Sequence, residues 1–299
     1  VALVRGIVAA AMFVAAAVVP SALRAEAVTV TDALGRSVTI PAPPQRIVTI
    51  FSSNTELVCA IGLADRIVGI DAMTRYPEEI ASRRHVGGRL GFSVDRVVEQ
   101  NPDLVIVTPA RQAANQLVEP MRRLGVPVVV LTSRNMAEVI GNIRLIGRAT
   151  GRAAEGEAVA QGLEKRIADV RAGAEHMRRP RVVMITGKLG NGLLLVARPN
   201  TYTGDALGIA GTEPALVGMR TLAQVSPEAI LAANPDLLLY AGKQEDLDDL
   251  ISRPGWREME AIKRGRTWTV SRAEWLIPGP RTLDGVERLA GQLRNLRGD

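Results

Sequence analysis

The chain has 299 residues, 47% of them apolar and 23% charged, enough to fill a core and solvate a surface, which excludes a disordered polymer. A single cysteine, Cys59, excludes a disulfide framework and any cysteine-based zinc or iron–sulfur site. An aromatic content of 3%, and a net charge of +6 spread among acids and bases along the chain, argue against a base-stacking platform and against a nucleic-acid tail.

At the N-terminus, Arg5 precedes an apolar run from Gly6 to Val19, then Pro20 and small residues up to Ala25-Glu26-Ala27. A run of about 14 residues is shorter than the roughly 20 that cross a bilayer, and the small-x-small ending has the form of a signal-peptidase site. Residues 1–27 are therefore expected to be a secretory leader. The expected product is exported and soluble, with no cysteine at the cleavage position to take a lipid.

Next, residues 28–31 and 37–40 flank Asp32-Ala-Leu-Gly35-Arg36 and read as a hairpin. Apolar strands at 46–51, 66–70 and 127–131 alternate with helices at 54–61 and 113–124, the pattern of a parallel sheet covered on both faces. Within this region lies one copy of an internal repeat. Ser93-Val-Asp-Arg-Val-Val-Glu-Gln-Asn-Pro-Asp-Leu recurs 133 residues later as Ser226-Pro-Glu-Ala-Ile-Leu-Ala-Ala-Asn-Pro-Asp-Leu. Each copy predicts a serine N-cap, a short helix, an Asn-Pro-Asp turn and a buried strand. Around the second copy, strands at 181–186 and 267–270 and helices at 202–210, 247–251 and 283–296 repeat the order.

Between the two regions, 135–149 predicts a helix, Thr150-Gly151 a break, and 152–178 a second helix of about 40 Å that Pro180 stops. Val159, Leu163, Ile167, Val170, Ala174 and Met177 give it one buried stripe. The expected fold is α/β: two Rossmann-like lobes with parallel sheets (28–150 and 180–299), joined by a single long backbone helix (151–179), with a ligand cleft between them. Such a helix should limit how far the lobes swing.

Signatures of catalysis are absent. There is no nucleophile elbow or P-loop, and the two histidines, His85 and His176, are far apart in sequence. Gly187-Lys-Leu-Gly-Asn-Gly192 has the wrong spacing for a nucleotide loop and reads as a flexible loop. Cys59, among Leu57, Val58 and Ala60, reads as a packing thiol. The cluster from Glu245 to Asp249 lacks the glycine and terminal glutamate of a calcium loop and reads as a helix start. No catalytic residue, resident cofactor or metal is expected, and an exported two-lobed chain of this kind points to a binding protein.

The sequence resembles the helical-backbone class of periplasmic substrate-binding proteins, which serve ABC importers of ferric siderophores, ferric citrate, haem and vitamin B12. The resemblance covers nearly all of the chain after the leader. It is carried by Thr31-Asp32-Ala-Leu-Gly35-Arg36, Pro44-Gln-Arg46-Ile-Val48, Asn54-Thr55-Glu56-Leu57 to Gly62, Arg66-Ile-Val68-Gly69, both Asn-Pro-Asp-Leu repeats, and Pro278-Gly-Pro280-Arg281, in this order. It implies that Asp95 and Glu228, at the starts of the repeat helices, dock onto arginines of a permease.

Ligand contacts are expected from segments after strand ends. The candidates are Ser53, Asn54, Arg75, Arg89 and Arg111 in the first lobe, and Lys188, Arg198, Tyr240 and Trp275 in the second. Cations dominate this set, which suits an anionic ligand. Haem-binding relatives place a tyrosine after the Val-Gly pair, where this chain has Gly88. Cobalamin-binding relatives supply aromatics from both lobes, whereas the three tryptophans here fall in the last 44 residues. An anionic iron chelate, a siderophore or citrate-like complex, is therefore the expected ligand, with vitamin B12 or haem as the alternative. A metal-cluster oxidoreductase subunit is the competing class, disfavoured by the lone cysteine. The expected partners are an ABC permease and its ATPase, not nucleic acid, and the chain is expected to be a periplasmic monomer.

Overall fold

The computed structural model describes residues 26–88, 91–108, 113–218 and 223–295, so the expected leader lies outside the described residues as far as residue 25. The described residues open with an antiparallel hairpin of β1 (Val28–Thr31) and β2 (Ser37–Ile40). One buried carboxylate fastens its turn to the body of the protein. Asp32 accepts the backbone N–H groups of Leu34 at 3.0 Å and Arg36 at 3.1 Å, pairs with the Arg36 guanidinium, and accepts the Val130 N–H at 3.2 Å.

The first lobe is built on β3 (Ile47–Ile50), β4 (Ile67–Ile70), β5 (Arg84–His85), β8 (Leu104–Val107) and β9 (Val128–Val130), in the spatial order β5-β4-β3-β8-β9, all parallel. A short antiparallel pair, β6 (Gly87–Gly88) and β7 (Gly91–Phe92), precedes β8 in the chain. Successive side chains of these apolar strands enter different cores. Ile47, Leu104, Ile106 and Val129 pack into one, Val48, Val105, Val107 and Val130 into the other. Both faces are therefore buried, as an unbroken run of aliphatic residues requires. The helices of this lobe are α1 (Ser52–Ala60), α2 (Val94–Val98) and α3 (Ala113–Arg123).

The second lobe contains β10 (Arg181–Lys188), β11 (Leu194–Val196), β12 (Glu213–Pro214), β13 (Gln224–Val225), β14 (Leu237–Ala241) and β15 (Thr267–Val270), with the short α9 (Glu260–Lys263) between β14 and β15. Strands β12, β10, β14 and β15 run parallel, but β11 is antiparallel to β10 and β13 to β11. The sheet is thus mixed rather than wholly parallel. The departure arises at 187–192, expected as a flexible loop. Gly187 and Lys188 instead extend β10, the Leu189 N–H bonds the Leu193 carbonyl at 2.8 Å, and Gly192 at φ +83° closes a hairpin into β11.

The internal repeat is visible atom by atom. Ser93 and Ser226 cap α2 and α7 (Pro227–Ala233), each accepting a backbone N–H at 3.4 Å. Asn101 and Asn234 then turn the chain at φ +44° and +39° into β8 and β14. Asp103 and Asp236 accept the N–H groups of Arg46 and Arg181, both at 2.9 Å, tying each repeat to the neighbouring strand.

Between the lobes run α4 (Met136–Ala149) and α5 (Ala153–Ala174). At 22 residues, α5 is about 33 Å long, shorter than expected, because the chain leaves the helix in a turn at 175–176, before the restriction that Pro180 places on Arg179. Its stripe of Leu163, Ile167, Val170 and Ala174 joins a core that also contains Ile143 and Ile146 of α4 and Val286 and Leu289 of α11 (Thr282–Asn295). Charges reinforce both contacts. Arg144 of α4 grips Glu157 and Glu164 of α5, and Arg166 of α5 grips Asp284 and Glu287 of α11.

Helices α4 and α5 approach through Gly147 and Gly156. A Cβ on Gly147 would lie 2.8 Å from the Arg152 carbonyl oxygen and 3.1 Å from the Gly156 Cα. Glycine-to-alanine in a helix ordinarily stabilises it. Here Gly147→Ala is expected to destabilise the protein by about 1–3 kcal/mol in chemical denaturation, because both obstructing atoms are backbone and no rotamer change relieves them.

Candidate functional site

The parallel strands of each sheet end on one side, and the turns leaving them form the candidate site. At the end of β3 the backbone of Phe51 sits at φ +78°, a strained conformation for a bulky residue, held by the N–H groups of Asn54 and Thr55 on its carbonyl. The residue is left 39% exposed. Beyond β4, Asp71 accepts the Met73 N–H and the Thr74 hydroxyl, both at 2.7 Å, folding a loop that exposes Met73, Arg75 and Tyr76. Arg75 spends one nitrogen on the carbonyls of Ala72 and Thr74, both at 2.8 Å, and presents the rest to solvent.

In the second lobe, Arg272 donates to the carbonyls of Thr186 at 2.6 Å and Ala241 at 3.1 Å. This exposed guanidinium, at the start of α10 (Arg272–Trp275), is thereby fixed over the ends of β10 and β14. Lys188 is less available. Its ammonium donates to the Asp246 carbonyl at 2.9 Å and to Asp249 of α8 (Gln244–Ile251) at 3.4 Å, and it lies 5.7 Å above the ring of Tyr240. Tyr240 is buried beneath it, and that burial, followed by the charge of Asp246, pushes its hydroxyl above the usual phenol value. Arg198 is half-buried, with a partner of its own.

Two candidates are corrected by their surroundings. Asn54 is wholly buried, donating to the Ile50 carbonyl at 2.6 Å and accepting the Thr108 hydroxyl at 3.2 Å, so it braces the strand ends from inside. Trp275 is 1% exposed, packs on Gly285 of α11, and uses its carbonyl to accept the hydroxyls of Tyr202 and Thr203, the first two residues of α6 (Tyr202–Ile209). Neither side chain reaches the strand-end surface. Ser53, in the first turn of α1, is also buried. Arg89 and Arg111 lie outside the described residues.

A contact absent from the sequence reading joins the lobes at this surface. Glu56 of α1, with a side chain 2% exposed, is gripped by both ends of the guanidinium of Arg281, which precedes α11; the Nε bond is 3.0 Å. The face of that guanidinium lies 3.7 Å from the ring centroid of Tyr76, an arrangement that favours a cation. Burial pushes the Glu56 carboxyl above its ordinary range despite the compensating Arg281. A glutamate directly before the apolar run from Leu57 to Ile61 was the available signal for a buried charge. Its partner, 225 positions away, gave none.

Asp95 and Glu228 are exposed in the first turns of α2 and α7, at matched places in the two lobes. The Ser226 hydroxyl and its own backbone N–H hold the Glu228 carboxyl below its ordinary range. Cys59 is half-buried, and its thiol is pushed up to about 12, chiefly by burial. Among the described residues no group of three or more His, Cys, Asp or Glu side chains is placed to hold a metal ion, and no helix is long and apolar enough to cross a membrane.

Two α/β lobes with strand ends on a shared surface, held by an inter-lobe ion pair and packed on α4 and α5, define a cleft-type binding protein. The chain belongs to the periplasmic binding protein family, whose model matches residues 47–271, and specifically to the substrate-binding proteins of ABC importers that include vitamin B12-, haem- and siderophore-binding members. It is 26% identical over 268 residues to the uncharacterized ABC transporter substrate-binding lipoprotein YvrC of Bacillus subtilis, covering 88% of this chain and 84% of that one. A vitamin B12-binding protein of Vibrio parahaemolyticus is 22% identical, with coverage of 82% and 87%. Among solved structures, the periplasmic heme-binding protein RhuT from Roseiflexus sp. RS-1, in apo form, superposes with a TM-score of 0.73 at 27% identity, covering 84% of this chain and 98% of that one. The family is made of binding proteins.

Proposed function

We propose that the chain captures an anionic iron complex at the strand ends of its two lobes and delivers it to a membrane permease driven by an ATPase, acting as a monomer and without catalysis. The observation that carries the ligand reading is the pair of guanidinium groups, Arg75 and Arg272, each held by backbone carbonyls at the strand ends of its own lobe while its remaining donors stay exposed. Guanidinium donors replace the water that carboxylate or catecholate oxygens lose on binding. The exposed Phe51, Met73 and Tyr76 add an apolar wall. That wall favours a second reading, a tetrapyrrole ligand such as a corrinoid or haem, in keeping with the relatives named for vitamin B12 and heme. Asp95 and Glu228 serve as the anions that meet the permease. Residues 28–150 and 180–299 act as the two lobes and 151–179 as their link.

The ligand is tested by titrating the purified protein with ferric citrate, ferric catecholate and hydroxamate siderophores, haemin and cyanocobalamin, following absorbance and tryptophan fluorescence. One ferric chelate is expected to bind tightly. Arg272→Ala should weaken it by roughly 2–5 kcal/mol if the ligand oxygen it meets is buried. Tight haemin or cyanocobalamin binding with no response to any ferric chelate would establish the second reading in its place.

A further inference from the structure

Several arginines elsewhere on the protein are neutralised by a nearby carboxylate: Arg122 by Glu119, Arg134 by Glu138, Arg144 by Glu157 and Glu164, Arg166 by Asp284 and Glu287. An open groove of about 540 Å³ on the edge of the first lobe gathers arginines without such a partner. Arg83, Arg84 and His85 enter it from the edge strand β5 and the turn before it, and Arg96 from α2. Arg84, His85 and Arg96 are exposed, and the Nε of Arg83 is buried with no hydrogen-bond partner. Glu99 also lines the groove, three residues after Arg96 on the same side of the chain, yet among the described residues no carboxylate forms an ion pair with any of the three guanidinium groups. Guanidinium groups converging from separate elements repel one another in part, and an anion bound between them relieves that repulsion. The second lobe has no equivalent of Arg96, since the matched repeat position is Ala229.

We propose that this groove holds anionic phospholipid head groups, so that the first lobe rests on the membrane surface beside the permease. The inference rests on the importer reading: Arg96 directly follows Asp95, so docking of Asp95 onto a membrane-embedded partner brings the groove to the lipid at that partner's margin. Guanidinium forks match the oxygen geometry of a phosphodiester, and each cation near an anionic surface adds to the attraction.

The test uses the purified protein in sedimentation with vesicles of equal parts phosphatidylglycerol and phosphatidylcholine, and with phosphatidylcholine alone. Binding is expected only to the anionic vesicles and to fall with added salt. Arg84→Ala and Arg96→Ala should each lower the partition coefficient about fivefold, and Glu99→Gln should raise it. Arg122→Ala, which removes the same charge elsewhere on the lobe, should change it far less. Equal binding to both vesicle types, or equal losses for Arg84→Ala, Arg96→Ala and Arg122→Ala, would overturn the proposal. So would selective binding of polyglutamate in place of the vesicles, which would assign the groove to an acidic protein. None of these readouts involves the permease, so failure here is distinguishable from failure of the docking acids Asp95 and Glu228 in uptake.

Discussion

Arg281→Ala is expected to destabilise the protein by about 3–5 kcal/mol in chemical denaturation, because it strands the Glu56 carboxylate in the interior. The side chain of Glu56 is 2% exposed and that of Arg281 20%, so only the arginine has water to fall back on. Glu56→Leu should therefore cost less than Arg281→Ala, and the double variant Glu56→Leu/Arg281→Ala should recover much of the loss. Dependence on pH gives a second readout. Burial raises the folded-state pKa of Glu56 above its ordinary value of 4.5, so the folded protein binds this proton more tightly than the unfolded chain. The contribution of Glu56 to stability is then most favourable below 4.5 and declines as pH rises through the raised value. Glu56→Gln should remove that slope. If Arg281→Ala stays within about 1 kcal/mol of the parent, the two side chains are not coupled as the geometry implies.

Asp95→Arg combined with Glu228→Arg is expected to abolish uptake of the ligand by cells while its affinity for the purified protein changes by no more than a factor of about two or three. Both carboxylates are exposed, sit in the first turn of a short helix, and occupy matched positions 133 residues apart. Reversing their charge leaves the core and the strand-end surface untouched but meets a cationic socket with a cation. Each single reversal should reduce uptake less than the pair, since the other lobe still docks. Lost ligand affinity in the double variant would place these residues at the binding surface instead.

Features that depend on local periodicity and on repetition were legible in the residues alone. Unbroken aliphatic runs at β3, β8 and β14 can be satisfied only by burial on both faces. Each serine, proline-stopped helix and Asn-Pro-Asp turn acts within a dozen residues, and its recurrence announced two lobes of one design. The matched positions of Asp95 and Glu228 were legible for the same reason, because the repeat marks them twice, while their proposed docking role came from the family resemblance.

Contacts between partners distant in the chain emerged only on folding. The mixed second sheet depends on a hairpin at 187–193 whose glycines read equally well as a loop. Asn54 and Trp275 have side chains suited to a ligand, and their burial follows from Thr108 and Gly285 packing over them. Lys188 looked available until α8 brought Asp246 and Asp249 to it. The Glu56–Arg281 pair, stacked on Tyr76, joins three segments that no local rule connects. A side chain's type states what it can bind, but folding alone settles whether its partner is a ligand, solvent or another part of the same chain, because that choice turns on burial and distances set by contacts across the whole molecule.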